Sequence, residues 1–253
     1  TDVAREASDM VLLDDNFATI VVAVREGRRI YDNIRKFVRF VLGGNAGEIW
    51  TILAAPFFGL PLALLPIQIL WINLVTDGLP GLALAAEPAE RRVMARPPRS
   101  PVESIFARGL WQHVLWVSLL IGALCIGVPA WALARGAGHW QTMVFTVLCI
   151  AQLYHVLAIR SERESLFAIG IVSNPQLLGA VLLTYALQLA VIYHPWLNAV
   201  FKTERLSAME LLVCTLLPSV VLAAVELEKW LVRHGYLYRD EAAPARCAKP
   251  PVA

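Results

Sequence analysis

Thiols are few in this sequence and show no pattern. Its four cysteines, Cys125, Cys149, Cys214 and Cys247, form no C-x-x-C pair and no metal-ligand spacing. No Cys-Pro-Cys occurs either, which argues against a soft-metal site built of thiolates. Three of the four lie in apolar stretches, where a cysteine serves as a small buried hydrophobe. No charged segment followed by a short apolar stretch and a cleavage site opens the chain, so no signal peptide is visible. Internal repeats are absent, and a net charge of +2 makes no case for a nucleic-acid partner. What abounds is apolar residue, 58% of the chain, where soluble domains hold about 45–50%. The excess collects in blocks of about 20 residues, the length that crosses a hydrocarbon core about 30 Å thick. The composition therefore specifies an all-α protein of several membrane passes, with the lipid bilayer as its partner.

Residues 2–10 suit a short helix and Met10–Leu13 a short apolar strand. Asp14, Asp15 or Asn16 can each cap the helix that follows. From Phe17 the apolar positions Ile20, Val21, Val24, Ile30, Ile34, Phe37 and Val41 recur at helical spacing, with Arg25, Arg28, Arg29, Arg35, Lys36 and Arg39 between them. This reads as one helix that starts in water and enters the membrane near Phe37. Six spans are expected, at 37–58, 64–86, 107–133, 140–159, 175–194 and 209–232. Gly59-Leu60-Pro61 turns the chain after the first, and a polar Arg/Pro-rich loop over 87–105 separates the second from the third. The predicted division is residues 1–16 as the end of a soluble domain, 17–36 as a stalk helix, 37–233 as the membrane domain and 234–253 as a tail. The opening residues read as the remnant of a domain that was cut, so the chain is expected to be a fragment.

Lysine and arginine set the orientation. Arg91, Arg92, Arg96, Arg99 and Arg108 lie in the 87–108 loop, Arg160 and Arg163 follow the fourth span, and Lys229, Arg233 and Arg239 follow the sixth. The other side holds only Arg135, Lys202 and Arg205. Both termini are expected on the cytoplasmic side of the plasma (inner) membrane.

Polar groups inside apolar spans are the informative ones, since a charged residue costs about 2.5–3.5 kcal/mol at mid-membrane. Asn45 and Glu48, three apart, share a face of the first span. Asn73, Thr76 and Asp77 share a face of the second, and Gly78 and Pro80 follow at once. Pro80 has no N–H for the carbonyl of Thr76, so a helix interruption is expected beside these residues. Transporters place ion sites at such breaks. Two carboxylates, two amides and a hydroxyl form an all-oxygen set suited to a hard cation such as Ca²⁺. The alternative is a hydrogen-bonded packing cluster with its acids protonated. Gln152 could add an amide oxygen or simply bond helix to helix; Gln68 and Gln188 are open in the same way. His155 has no second His or Cys at ligand spacing and reads as a packing residue. Trp50, Trp71, Trp111, Trp116, Trp131, Trp140 and Trp196 read as interface or lipid-facing aromatics.

Taken in order, TDVAREASDMVLLDDNF, EGRRIYDNIRKFVRF, GGNAGE, LPIQILWINLVTDGLP and MARPPRSP resemble the C-terminal half of the calcium-transporting P-type ATPases. The resemblance is specific over about the first 105 residues and looser over the last four spans. It implies that residues 1–16 close a haloacid-dehalogenase-like α/β phosphorylation domain and that the six spans are helices five to ten of a ten-helix pump. It also implies ion-binding roles for Asn45, Glu48, Asn73, Thr76 and Asp77, with Mn²⁺ as an alternative to Ca²⁺. The long first helix would carry movement from the phosphorylation site, and Arg96–Pro101 would lie against cytoplasmic domains. Two departures stand out. Gln152 takes the place of an ion-binding glutamate of the muscle-type pump, which leaves a one-ion stoichiometry plausible, and Gly43-Gly44 replaces a small polar pair.

The DKTGT, TGES and TGDGxNDxP motifs and the helix-four PEGLP segment do not occur in these residues. No catalytic residue is therefore expected here. Mg²⁺ and ATP would belong to the intact pump, with actuator, nucleotide-binding and phosphorylation domains and helices one to four supplied elsewhere. The competing readings are a self-standing six-helix channel or carrier and a subunit that pairs with a separately encoded motor half.

Overall fold

The computed structural model describes residues 2–13, 16–59, 63–100, 102–134, 136 and 138–238. Among these residues there is no β-strand, and the architecture is all-α. The chain opens with α1 (Asp2–Glu6), and Met10–Leu13, expected as a strand, has no regular structure. Met10 and Leu13 are exposed there. A strand needs a neighbour to satisfy its backbone groups, and no strand lies beside it among the described residues. Of the three candidate caps, Asn16 serves: its side-chain oxygen accepts from the N–H of Ala18 at 3.0 Å. Asp14 and Asp15 lie outside the described residues.

From that cap, α2 (Phe17–Ala54) runs as a single helix of 38 residues. It ends in a tight turn over Ala55–Phe58 that carries Pro56, and Gly59 closes it at φ 68°. Leu60 and Pro61 are not among the described residues. The second expected span is helical from Pro66 to Ala85 in three parts: α3 (Pro66–Trp71), a wide π turn (Ile72–Thr76) and α4 (Gly78–Ala85). Then come α5 (Leu110–Ala134), α6 (Trp140–Ala158), the short α7 (Leu166–Ile169), α8 (Pro175–Tyr193) and α9 (Pro195–Phe201). The last span is α10 (Ala208–Leu216) joined through Pro218 to α11 (Ser219–Arg233). Local chemistry sets these starts. Asn174 accepts from the N–H of Leu177 ahead of Pro175, and Ser207 and Glu210 form a reciprocal capping box.

Among the described residues, five helical stretches are long and apolar enough to cross a membrane: Pro66–Ala85, Leu110–Leu133, Trp140–Ala158, Pro175–Tyr193 and Ala208–Arg233. Six were expected. The missing one, 37–58, is helical to Ala54 but carries Arg39, Asn45 and Glu48 and three glycines, which dilute its apolar content. Helix α6 is the axis of the bundle, with 83% of its apolar window buried against at most 39% in the other four. It packs on α2, α4, α5, α8, α10 and α11. Helices α2 and α5 approach closely because glycine faces side chain on both sides. A Cβ on Gly47 would stand 2.9 Å from Ile121, and one on Gly122 2.8 Å from Trp50. Without a hydrophobic drive inside lipid, such close approach is the main source of helix association. Cys125, Cys149 and Cys214 are buried and free, as small hydrophobes.

One end of the bundle is closed by charge. The 87–108 loop lies along α2: Arg28 donates to the carbonyls of Val93 and Arg96 at 2.9 and 2.8 Å, and Asn33 to that of Glu87 at 2.8 Å. Arg96 pairs with Asp32 at 2.8 Å and also with Glu90. Arg35 and Arg39 both reach Glu162, at 3.2 and 3.3 Å, and Lys36 reaches Glu90 at 3.6 Å. Arg160 forks onto Glu87 at 2.8–3.1 Å. Burial alone would raise the Glu162 carboxyl, but Arg39 and Arg35 hold it down at about 2. The basic face of the first helix, expected in water, is therefore buried under loops from residue 33 to 39.

Candidate metal centre

Of the polar residues singled out on the first two spans, Glu48, Asn73 and Asp77 lie together with Gln152, and Thr76 adjoins Asp77. Glu48 is the hub. Its Oε2 accepts from Asn73 Nδ2 at 3.3 Å, and its Oε1 accepts from Gln152 Nε2 at 3.3 Å. Three helical segments thus meet at one carboxylate, which is only 5% exposed. Asp77 is 4% exposed, and Glu48 is near enough to act on it electrostatically. Asn73, on the open side, also donates to the carbonyl of Ile69 at 3.0 Å. Asn45 is half-buried and takes no side-chain hydrogen bond among the described residues.

The helix interruption takes the form of a wide turn. The N–H of Asp77 bonds to the carbonyl of Ile72 at 2.9 Å, five residues back. Regular α-helix resumes at Gly78, with Pro80 in its first turn, where a missing N–H does no damage. The surplus residue sits just ahead of the Gly-Leu-Pro signal, and it changes the facing of Thr76 and Asp77 relative to the helix before them. Such π bulges occur mostly at functional sites.

Four buried side-chain oxygens of this group have no partner: Thr76 Oγ1, both carboxylate oxygens of Asp77 and Gln152 Oε1. Buried polar atoms are bonded in the great majority of cases, so four orphans in one place need an explanation. No group of three or more His, Cys, Asp or Glu at metal-ligating spacing is present among the described residues. What is here is a set of two carboxylates supplemented by amide and hydroxyl oxygens, the donors a hard cation takes.

Gly43 and Gly44, which had no account from sequence, acquire one. A Cβ on Gly44 would stand 2.7 Å from Gln152 Nε2 and 3.5 Å from Asp77 Oδ1; one on Gly43 would stand 2.9 Å from His155 Cε1. The pair clears the space on α2 that lets α6 and the π turn reach Glu48. Sequence spacing along α2 could not have found this, since the neighbours lie about 30 and 110 residues away.

Other candidates fall out as packing. Gln68 accepts from the N–H of Leu65 and donates to the carbonyl of Phe201, both at 3.1 Å. Gln188 accepts from Trp71 Nε1 at 3.0 Å. Trp71 and Trp116, read from sequence as interface or lipid-facing aromatics, each turn the indole N–H inward, that of Trp116 to Glu228 at 3.0 Å. His155 is fully buried, and it pairs with His113 rather than with a metal-ligating neighbour.

The described residues thus form an all-α bundle of membrane-length apolar helices with a carboxylate-centred cluster of polar side chains beside a wide helical turn. The family model for the C-terminus of cation transporting ATPases matches residues 61–231, and the chain belongs to that family. It is 49% identical over 210 residues, 82% of its length, to a calcium-transporting ATPase of Bacillus subtilis. It is 40% identical over 242 residues to the mouse calcium-transporting ATPase type 2C member 2, and 38% identical over 235 residues to calcium-transporting ATPase 1 of Yarrowia lipolytica, each over 92% of this chain. The chain spans about a quarter of the length of these relatives, 24–25%.

Proposed function

We propose that this chain is the ion-binding and transmission part of an ATP-driven cation pump, and that the ion is Ca²⁺. The four orphaned oxygens around Glu48 carry the reading. They are buried without a hydrogen-bond partner from this chain, and a dehydrated divalent ion would supply one. Glu48 and Asp77 supply two negative charges against the ion's two positive ones. Thr76, Gln152, Asn73 and Asn45 supply neutral oxygens. These six residues supply six oxygens with one from each, and eight if both carboxylates bind through both atoms, which spans the 6–8 that Ca²⁺ takes. The exposed side of Asn73 leaves room for a further ligand from helices one to four. The names of the relatives favour Ca²⁺; Mn²⁺ accepts the same donors and is the runner-up.

On this reading residues 1–16 belong to the phosphorylation domain, residues 17–36 form the stalk and 37–233 the membrane domain, with both termini cytoplasmic. ATP and Mg²⁺ act on domains outside this chain. The test is ATP hydrolysis by the full-length gene product with Ca²⁺, Mn²⁺ or Na⁺ as the varied ion. Stimulation by Ca²⁺ at the lowest concentration is expected. Stimulation by Na⁺ alone, or by none of the three, would overturn the assignment.

A further inference from the structure

Two buried histidines have no part in the oxygen cluster, yet they lie between it and the basic end of the bundle. His113 on α5 and His155 on α6 are 1% and 0% exposed. Their rings stack with centroids 5.4 Å apart, and their Nε2 atoms are 3.1 Å apart. On the far side, His113 Nδ1 is 2.6 Å from Glu228 Oε2 on α11. The other oxygen of Glu228 accepts from Trp116 Nε1 at 3.0 Å and from the hydroxyl of Tyr238 at 2.8 Å. Glu228 and Tyr238 line a cavity of about 160 Å³ at the basic end, together with Arg39, Glu162 and Lys229. At the other end of the row, the His155 ring presses against Gly43, one helical turn from Gln152. Its Nδ1 is buried without a partner.

With Glu228 ionised, His113 Nδ1 donates to one of its oxygens, and the indole of Trp116 and the phenol of Tyr238 donate to the other. His113 Nε2 is then bare, and the short Nε2–Nε2 contact requires a proton on His155 Nε2. His155 Nδ1 is left as a vacant proton position, facing the Gly43–Gly44 step. We propose that His155, His113 and Glu228 form a relay that carries a proton between the oxygen cluster and the cavity at the basic end. A water-borne proton binds His155 Nδ1; His155 gives its Nε2 proton to His113 Nε2; His113 gives its Nδ1 proton to Glu228, which releases it to water in the cavity. One proton enters and one leaves, no heavy-atom bond changes and no electron moves. Both rings then hold the opposite tautomer, and a half-turn of each, or a proton returning by the same row, resets the relay. Chains of His and acidic groups inside membranes act in this way.

Charged groups face the row from each element packed on it: Arg39 from α2, Glu162 from the loop after α6, Glu228 from α11 and, beyond the helix, the phenol of Tyr238.

The relay rests on the ion site proposed above, and the experiment separates the two. The intact pump is placed in vesicles with a pH dye inside, and ion uptake and proton movement are followed together. Wild type, His155→Gln and Glu228→Gln are compared. Proton movement per ion is expected to slow about tenfold or more in both variants, the scale on which a positioned proton carrier acts, while ion-dependent phosphorylation persists. Unaltered proton movement in both variants overturns the relay, whereas absence of ion uptake in the wild type sinks the ion site itself. Should neither variant assemble, infrared difference spectra of the wild-type pump on addition of Ca²⁺ decide. Changes in imidazole bands that shift in D₂O are expected, and a spectrum without them overturns the relay.

Discussion

Helix α2 carries two buried polar layers about 14 Å apart along its axis, taking about 1.5 Å per residue from Arg39 to Glu48. They are built on opposite principles. At the basic end, Arg35, Lys36, Arg39 and Arg160 are buried, and each has a carboxylate within 4 Å. At the oxygen cluster, both carboxylates lack a cation and four oxygens lack any partner. The first layer pairs each of its cations with a carboxylate of this chain and holds loops against helices. The second is incomplete and therefore suited to something that comes and goes. Burial alone does not distinguish structure from function; the state of the partners does.

The comparison is broken most severely at Asp77. In the intact pump, Asp77→Asn is expected to abolish ion-dependent phosphorylation by ATP. Losing one partner of a buried charge pair costs about 2–5 kcal/mol, or about 30-fold or more in apparent ion affinity. Melting of the ion-free protein should be unchanged or raised, because the variant removes an uncompensated charge. Wild-type ion dependence in that variant would remove Asp77 from the site. The reverse pattern is expected at the other layer. Glu162→Gln strands Arg35 and Arg39 and should destabilise the fold by about 3–5 kcal/mol, measured as a lower melting temperature. Ion affinity of the protein that remains folded should be near normal.

Smaller changes sharpen the contrast. Gly44→Ala introduces a methyl group into the space held by Gln152 and Asp77, a strain of about 1–3 kcal/mol. It should weaken ion affinity more than it lowers melting temperature, and an equal effect on both would count against a binding role for this step. Acid should act on the charged layer. The Glu162 carboxyl is depressed from 4.5 to about 2, so its contribution is complete above the unfolded value and is lost as pH falls through the folded one. Thermal stability is expected to drop between about pH 4.5 and 2 in the wild type and to drop less there in Glu162→Gln. Gly27→Ala is the mildest. Nothing lies within 4 Å of a Cβ there, and helix propensity alone predicts a gain of about 0.5–1 kcal/mol.

Much of this was legible along the chain. The spacing of Asn45 with Glu48, and of Asn73 with Thr76 and Asp77, placed each set on one helix face, and the two faces do meet. The all-α class and five of the six expected spans follow from apolar block length. Contacts between distant segments were not legible. Gly43 and Gly44 make sense only opposite His155 and Gln152, and the inward indoles of Trp71 and Trp116 only opposite Gln188 and Glu228. Met10–Leu13 had the residue types of a strand but no pairing partner. The span at 37–58 falls short on apolarity because the residues that make it interesting are the residues that make it polar.

Helix α2 also has a mechanical consequence. From Phe17 to Ala54 it contains no proline, and at about 1.5 Å per residue it is about 57 Å long. A beam of that length, clamped by paired charges near its middle, turns about the clamp. On the proposed transmission role, a small tilt imposed at the Phe17 end would reappear, reversed in direction, at Glu48.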